Sequence, residues 1–410
     1  MPETVSRPAP LWLRPAVLGG LYALLTVIIT AQHYLKGPGS YNNFLIFVKP
    51  WFNLVAQKNL YLEYPEYYQD TYKYSPTFAL FMGPFAVLPA WLGLLLWNSL
   101  NTLVFYTAAR RLFPDTRRQA LFLVVVLVDV LTALHNSQAN CLLTGLMLWT
   151  YLHLENRRAA LAGLCLALAA FIKVYGIAIG LLFLFYPGFW RNALWAAGWL
   201  LTLALLPLVV LSGPAFVMIY RGWYDIVRAS ATGIQLSLMG VLQSWFGFPL
   251  QYKGAVQALG LGVLLLPVLL YRRAWGTADF RRLYVCSLLI FVVIFNQMAE
   301  SPTFIIAVAG FALWFLYYRH TTVLAWPLFG LVLVFTTLSA TDLLPHAIRE
   351  AYFDVYKLKA VPMILAWGVI QSQLLLYYRW HSPAPEAGTG PTTDEAPAGA
   401  LAGNANPAAG

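Results

Sequence analysis

The stretch YLEYPEYYQDTYKYSP, residues 61–76, crowds three carboxylates (Glu63, Glu66, Asp70), one lysine (Lys73) and six tyrosines into sixteen residues. A carboxylate can take the proton of an acceptor hydroxyl, and a lysine can meet a phosphate as a point charge. Tyrosine offers a flat apolar face with a polar tip, which suits a sugar ring or the headgroup depth of a membrane. Asp70 leads as a base. It stands nearest to Ser75 and Pro76, where the apolar sequence resumes, and beside Lys73, which favours its ionised form. Glu66 comes second, and Glu63 reads as a solvated loop charge. The plainer account of the same residues is an aromatic belt with exposed charges.

Three further clusters carry polar side chains that apolar helices do not ordinarily tolerate. HNSQANCLL supplies His135, Asn136, Gln138 and Asn140, four hydrogen-bonding side chains within six residues. A helix-capping turn is the plain alternative. FIKVYG supplies Lys173, either a phosphate ligand or a snorkelling end-of-helix lysine. FNQMAESPTF supplies Glu300 and Ser301. Asp129 lies six residues before His135, about 9 Å deeper at the helical rise, where a carboxylate must be paired or wet. No phosphate-cradling glycine loop, Walker lysine or zinc-spaced His/Cys set is present, and no Asp-x-Asp pair lies on the side of the basic connections, the cytoplasmic side by the reading below. The sequence thus argues against an ATP-driven pump or a nucleotide-sugar enzyme and calls for no metal and no cofactor. An activated substrate would need another carrier, and a lipid phosphate is the natural one.

The elements that must position these residues follow from composition. The 410 residues are 60% hydrophobic and 10% charged, and the mean hydropathy is +0.66. That is too little polar material to cover a soluble surface. Apolar runs fall near 15–34, 90–109, 119–134, 140–154, 159–173, 174–189, 193–211, 253–271, 283–298, 302–318, 322–340 and 361–378. The expected fold is an all-α polytopic membrane protein of about twelve transmembrane helices. The run 76–89, with Pro76, Pro84 and Pro89, reads as a broken or re-entrant helix. Arg110, Arg111, Arg117, Arg118, Arg157 and Arg158 belong to short basic connections, whereas Glu63, Glu66, Asp70, Asp225, Glu350 and Asp354 fall in the longer ones. The positive-inside rule then puts the arginines in the cytoplasm and the opening stretch outside. The net charge of +10 is membrane topology rather than a nucleic-acid-binding face. The first apolar run reads as an uncleaved helix with a cytoplasmic N-terminus. Residues 1–381 form the transmembrane domain. Residues 382–410, rich in Pro, Ala and Gly, form a disordered cytoplasmic tail. The cysteines Cys141, Cys165 and Cys286 have no metal or redox spacing.

Within the outer loop 35–75, residues 41–58 project as an amphipathic helix. Phe44, Phe47, Val48, Trp51, Phe52 and Val55 share one side and Asn42, Lys49, Asn53 and Gln57 the other, with a kink expected at Pro50.

An ordered set of motifs resembles glycosyltransferase family 87, a branch of the GT-C membrane glycosyltransferases. The set is YNNFLIF, NLY, YKYSPTFALFMGPFAVLP, LWNSLN, HNSQANCLL, FIKVYG and LSLMGVLQSWFG, over roughly residues 15 to 320. The resemblance implies a GT-C-like twelve-helix bundle with outer interfacial helices. It also implies inverting transfer of mannose from a polyprenyl phosphate, with one carboxylate as base. The family commonly places an aspartate just after the first span, where this chain has Asn42 and Asn43. Asparagine is no base, so either another carboxylate serves or transfer has been lost. A second departure falls near Glu300, where relatives can carry a histidine.

The sequence therefore leads to an inner-membrane hexosyltransferase working on the extracytoplasmic side. A polyprenyl-phosphate sugar is the donor and a lipid-linked or envelope glycan the acceptor. Asp70 and Glu66 are the catalytic candidates, and Lys73 and Lys173 the ligands of the donor phosphate. Asn42, Asn43, His135, Gln138, Asn140 and Glu300 are the substrate-binding candidates. The rivals are a transporter or flippase of lipid-linked sugars, against which the lack of an internal repeat argues, and a catalytically inactive relative.

Overall fold

The computed structural model describes residues 14–230, 235–341 and 344–380. The expected tail at 382–410 lies outside the described residues. All regular structure among the described residues is helical. Apolar runs of this length require it, because each backbone N–H and C=O in hydrocarbon must be satisfied within its own segment.

In chain order the helices are α1 (Pro15–Lys36), α2 (Asn42–Val55), α3 (Pro76–Phe81), α4 (Gly83–Ala86), α5 (Ala90–Ala109), α6 (Thr116–His135), α7 (Asn140–Glu155) and α8 (Ala159–Ile172). A 3-10 helix, Val174–Phe185, follows. Then come α9 (Phe189–Leu205), α10 (Gly213–Ser230), α11 (Leu238–Phe246), α12 (Lys253–Leu270), α13 (Ala278–Ile294), α14 (Phe304–Tyr318), α15 (Ala325–Leu331) and the helix Val361–Leu375. Seven helices among the described residues are long and apolar enough to cross a membrane. They are Ala16–Lys36, Ala90–Ala109, Thr116–His135, Phe189–Val209, Leu250–Leu270, Ser301–Tyr318 and Leu358–Leu375. The other apolar runs form shorter helices, among them Ala159–Ile172, Val174–Phe185 and Ala325–Ala340.

Local chemistry sets the boundaries. Ser75, Asp115, Ser237 and Thr277 each accept a backbone N–H and so cap α3, α6, α11 and α13. The Ser301–Tyr318 span is the centre of the bundle, with 89% of its window buried, whereas Phe189–Val209 and Leu250–Leu270 are 22% buried and face outward. Gly145 lets α7 close on α5: a Cβ there would lie 2.8 Å from backbone atoms of Val104 and Phe105.

The bundle has two chemically different ends. At one, Arg281 makes a bidentate pair with Glu155 at 2.8 and 3.0 Å. Tyr186 donates to the same carboxylate at 2.8 Å. This clamps the end of α7, the segment before α9 and the start of α13. The other end collects the polar connections. Asn43 meets Asn136 there, Gln138 meets Glu300, Ser212 meets Gln57, and Gln235 meets Gln297.

Asp129 is buried in α6, where its Oδ2 accepts a hydrogen bond from Thr337 at 2.9 Å. Thr337 sits in a π-helical stretch, Val332–Thr337. The ammonium of Lys359, also buried, acts electrostatically on the carboxylate. Asp129 Oδ1 and Lys359 Nζ have no hydrogen-bond partner among the described residues. Attraction across the gap, rather than a direct bond, keeps this pair tolerable in a low dielectric.

Two local expectations are adjusted, those for residues 41–58 and 174–189, and that for 76–89 holds. The amphipathic helix runs over Asn42–Val55 rather than 41–58, and a 3-10 turn, Pro38–Tyr41, leads into it. Its buried side is also rotated: Ile46, Asn53 and Leu54 are buried with Phe44, Phe47 and Val48, whereas Phe52 and Val55 are each 48% exposed. The cause is lateral packing on α3 and α4, where the Trp51 ring lies 3.0 Å from the place a Cβ on Gly83 would occupy. Residues 76–89 are broken, as their prolines lead one to expect, into α3 and α4. The run 174–189 is a 3-10 helix ending at Phe185.

Candidate active site

A cavity of about 830 Å³ opens among the polar connections. The loop before α3 contributes Asp70, Lys73 and Tyr74, and α2 contributes Asn43 and Phe47. Gln138, Lys173, Tyr175 and Glu300 also line it, and Lys253 and Gln257 come from α12. Ile172, Val174, Ile177, Trp223 and Val227 form an apolar wall.

Glu300 belongs to a short hydrogen-bonded chain. Lys173 donates to Asn140 Oδ1 at 2.9 Å. Asn140 donates to Gln138 Oε1 at 2.6 Å, and Gln138 donates to Glu300 Oε2 at 2.8 Å. Asn140 and Gln138 are buried, so both amides are fixed, while Glu300 is exposed. The loop carrying Glu300 is held by backbone bonds from Gln235 to Gln297 and from Leu236 to Ala299. It is held again by the Glu300 N–H on Thr303 Oγ1, half of a capping box at the entry to α14.

Asp70 lines the cavity too. Lys73 Nζ donates to both of its oxygens at 3.0 Å, and Thr71 N–H donates to Oδ1 at 2.7 Å. Its side chain is 60% exposed. The residue has a φ of 78°, a left-handed conformation that aspartate tolerates through such local bonds. Burial first, then the carboxylates of Glu300 and Asp70, push the Tyr74 phenol above its ordinary value. It therefore stays a neutral hydroxyl at working pH.

Of the residues singled out in the sequence, Asn43, Asp70, Lys73, Gln138, Lys173 and Glu300 line the cavity, and Asn140 stands directly behind it in the chain. Glu66, Asn42 and His135 do not line it. Glu66 is exposed on the loop. His135 Nδ1 faces His33 Nε2 at 3.2 Å. Half of the six tyrosines pack instead of presenting a platform: Tyr61, Tyr68 and Tyr72 are buried. Tyr175, Lys253, Gln257 and Trp223 were not singled out. Lys253 and Gln257 stand four residues apart at the start of α12, a spacing that puts both on one helix face.

The two asparagines are tied through their amide donors. Asn42 Nδ2 donates to Gln69 O at 3.0 Å while its Oδ1 accepts the Gln69 N–H at 2.9 Å, a two-bond clamp beside Asp70. Asn43 Nδ2 donates to Asn136 O at 2.8 Å. An aspartate at 42 would keep the acceptor and lose the donor. Asn42→Asp is expected to give no gain in turnover and to cost about 1 kcal/mol of stability. Thermal unfolding, with limited proteolysis across residues 60–75, would read both.

The cavity thus sets lysines and carboxylates beside an apolar wall in a helical membrane protein. The model of glycosyltransferase family 87 matches residues 72–295. That is more than half of the chain, and this protein belongs to that family of membrane glycosyltransferases. The match includes Lys73, Gln138, Asn140 and Lys173, and leaves Asp70 and Glu300 just outside its two ends. No curated protein matches the chain.

Proposed function

We propose that this membrane glycosyltransferase moves a hexose, mannose in the first instance, from a polyprenyl-phosphate donor to a lipid-linked or envelope glycan. The reaction takes place on the extracytoplasmic side of the inner membrane. The observation that carries the reading is the cavity itself. Lys73, Lys173 and Lys253 share it with an apolar wall of Ile172, Val174, Ile177, Trp223 and Val227. Phosphate and isoprenoid need those two surfaces side by side. In this reading the helices 140–155, 159–172, 174–185, 278–294 and 325–340 cross the membrane with the seven longer ones, twelve passes in all, and the basic connections and both termini are taken as cytoplasmic.

The acceptor hydroxyl attacks the anomeric carbon from the face opposite the phosphate. The new C–O bond forms as the bond from carbon to the phosphate oxygen breaks, and the anomeric centre inverts. The bonding pair leaves on the phosphate, whose charge the lysines offset, and the acceptor's proton goes to a carboxylate. Asp70 and Glu300 both face the cavity, so each is placed for that role.

Purified protein in nanodiscs, supplied with radiolabelled polyprenyl-phosphate sugars and acceptor glycolipids, should transfer label and should keep doing so in EDTA. Strict dependence on a divalent ion would point to a nucleotide-sugar mechanism instead. Movement of the intact donor across the bilayer without transfer would establish a flippase. Binding without either would establish an inactive relative, the reading that Asn42 and Asn43 favour. In intact cells, cysteines at Gln69 and Asp225 should label with an impermeant reagent and one at Thr116 should not.

A further inference from the structure

We infer that Glu300 is the general base of the transfer, and that Gln138 and Asn140 are positioning residues which hold it as an acceptor and join it to Lys173. This rests on the glycosyltransferase reading above. The direction of the hydrogen bonds carries it. A lysine ammonium can only donate, so the atom of Asn140 that it meets must be the amide oxygen. The Asn140 nitrogen is then turned to Gln138 Oε1, and the Gln138 nitrogen to Glu300 Oε2. The orientation of both amides is thus fixed from the lysine end. Every donor in the chain points towards Glu300, which can satisfy it only as an acceptor.

Asp70 is differently placed. Lys73 engages both of its oxygens and Thr71 N–H one of them, all from within three residues along the chain. Asn42 and Asn43 spend their donors on backbone carbonyls. Glu300 is the carboxylate whose surroundings are built around it. When the acceptor attacks, its O–H bond breaks and the proton passes to Glu300. The acceptor oxygen bonds to the anomeric carbon, and the pair from the broken carbon–phosphate oxygen bond stays on the polyprenyl phosphate. Bulk water takes the proton from Glu300 when the products leave. Lys173, at the other end of the chain, also lines the cavity and can turn a second N–H to the phosphate.

The other titratable groups facing this cavity are Asp70, Lys73, Tyr74, Lys173, Tyr175 and Lys253. The test is transfer by the full-length protein in nanodiscs, with donor binding followed separately by displacement of a fluorescent polyprenyl phosphate. Glu300→Gln should lower kcat by about 10²–10⁴-fold and leave donor binding intact. Glu300→Asp should recover part of the loss, and Glu63→Gln, on the loop outside the cavity lining, should stay within a few-fold of wild type. Asn140→Asp keeps the shape and the bond from Lys173 but cannot donate to Gln138. It should move the acid limb of the kcat–pH profile upward, because Glu300 loses support for its charged form. A merely structural role would lower activity without moving that limb. An unshifted profile in Asn140→Asp, or Glu300→Gln within tenfold of wild type, overturns the assignment while wild-type transfer keeps the reading. If the wild type transfers no polyprenyl-phosphate sugar, the reading and the assignment fall together.

Discussion

Lys173→Met is expected to raise the apparent KM for a polyprenyl-phosphate donor by about ten- to a hundredfold. A hydrogen bond from a charged donor contributes about 1.5–3 kcal/mol, and 1.4 kcal/mol is a factor of ten in an equilibrium constant. Methionine fills a similar volume without the charge, so the effect isolates the cation. Lys173 lies against the apolar wall and is fixed by Asn140 at 2.9 Å, and therefore little side-chain freedom is lost when it meets a phosphate. Arg191→Ala, at the start of α9 and outside the cavity lining, should leave the KM unchanged. Initial rates across a donor series separate the two. A Lys173→Met enzyme with an unaltered KM would remove this lysine from the phosphate site.

Lys359→Met should be the most damaging single change for stability. Asp129 would be left as a buried charge with only the Thr337 hydroxyl for support. Breaking one side of a buried pair costs about 3–5 kcal/mol, while replacing both sides by apolar groups is often neutral. The double variant Asp129→Leu with Lys359→Met should therefore recover most of the loss. A double-mutant cycle on thermal unfolding in detergent reads the coupling directly. Additive losses would show that the two charges stand independently.

Much of this was legible in the sequence, though unevenly. Apolar runs of bilayer length give helices because hydrocarbon allows no other open-chain solution, and proline and cap residues mark their ends. The cavity was legible as a list: Gln138, Asn140, Lys173 and Glu300 each stand out because apolar helices do not carry such groups idly. Their joining into one chain was not legible, because it depends on how α7, α8 and α14 pack. The same holds for Asp129, whose charged counterpart, Lys359, arrives from the far end of the chain. Asp70 looked foremost because it is dense with neighbours in sequence. Density along the chain does not show the bond that reaches Glu300 from Gln138, 162 residues away. The rotation of α2 was missed for a related reason: a helical projection assumes one partner surface, and α2 is wedged beside α3 and α4.

The shortness of the hairpin that carries Lys173 bears on the lipid around it. The fourteen residues of α8 rise about 21 Å and the twelve residues of the 3-10 helix about 24 Å. A bilayer's hydrocarbon core is about 30 Å thick. Read as two passes anchored in one interface by Arg157 and Arg158, such a hairpin reaches its tip about 6–9 Å short of the opposite boundary. This is negative hydrophobic mismatch, and the leaflet relieves it by thinning over the hairpin. Thinning of that kind brings headgroups to the level of Lys173, which lines the cavity.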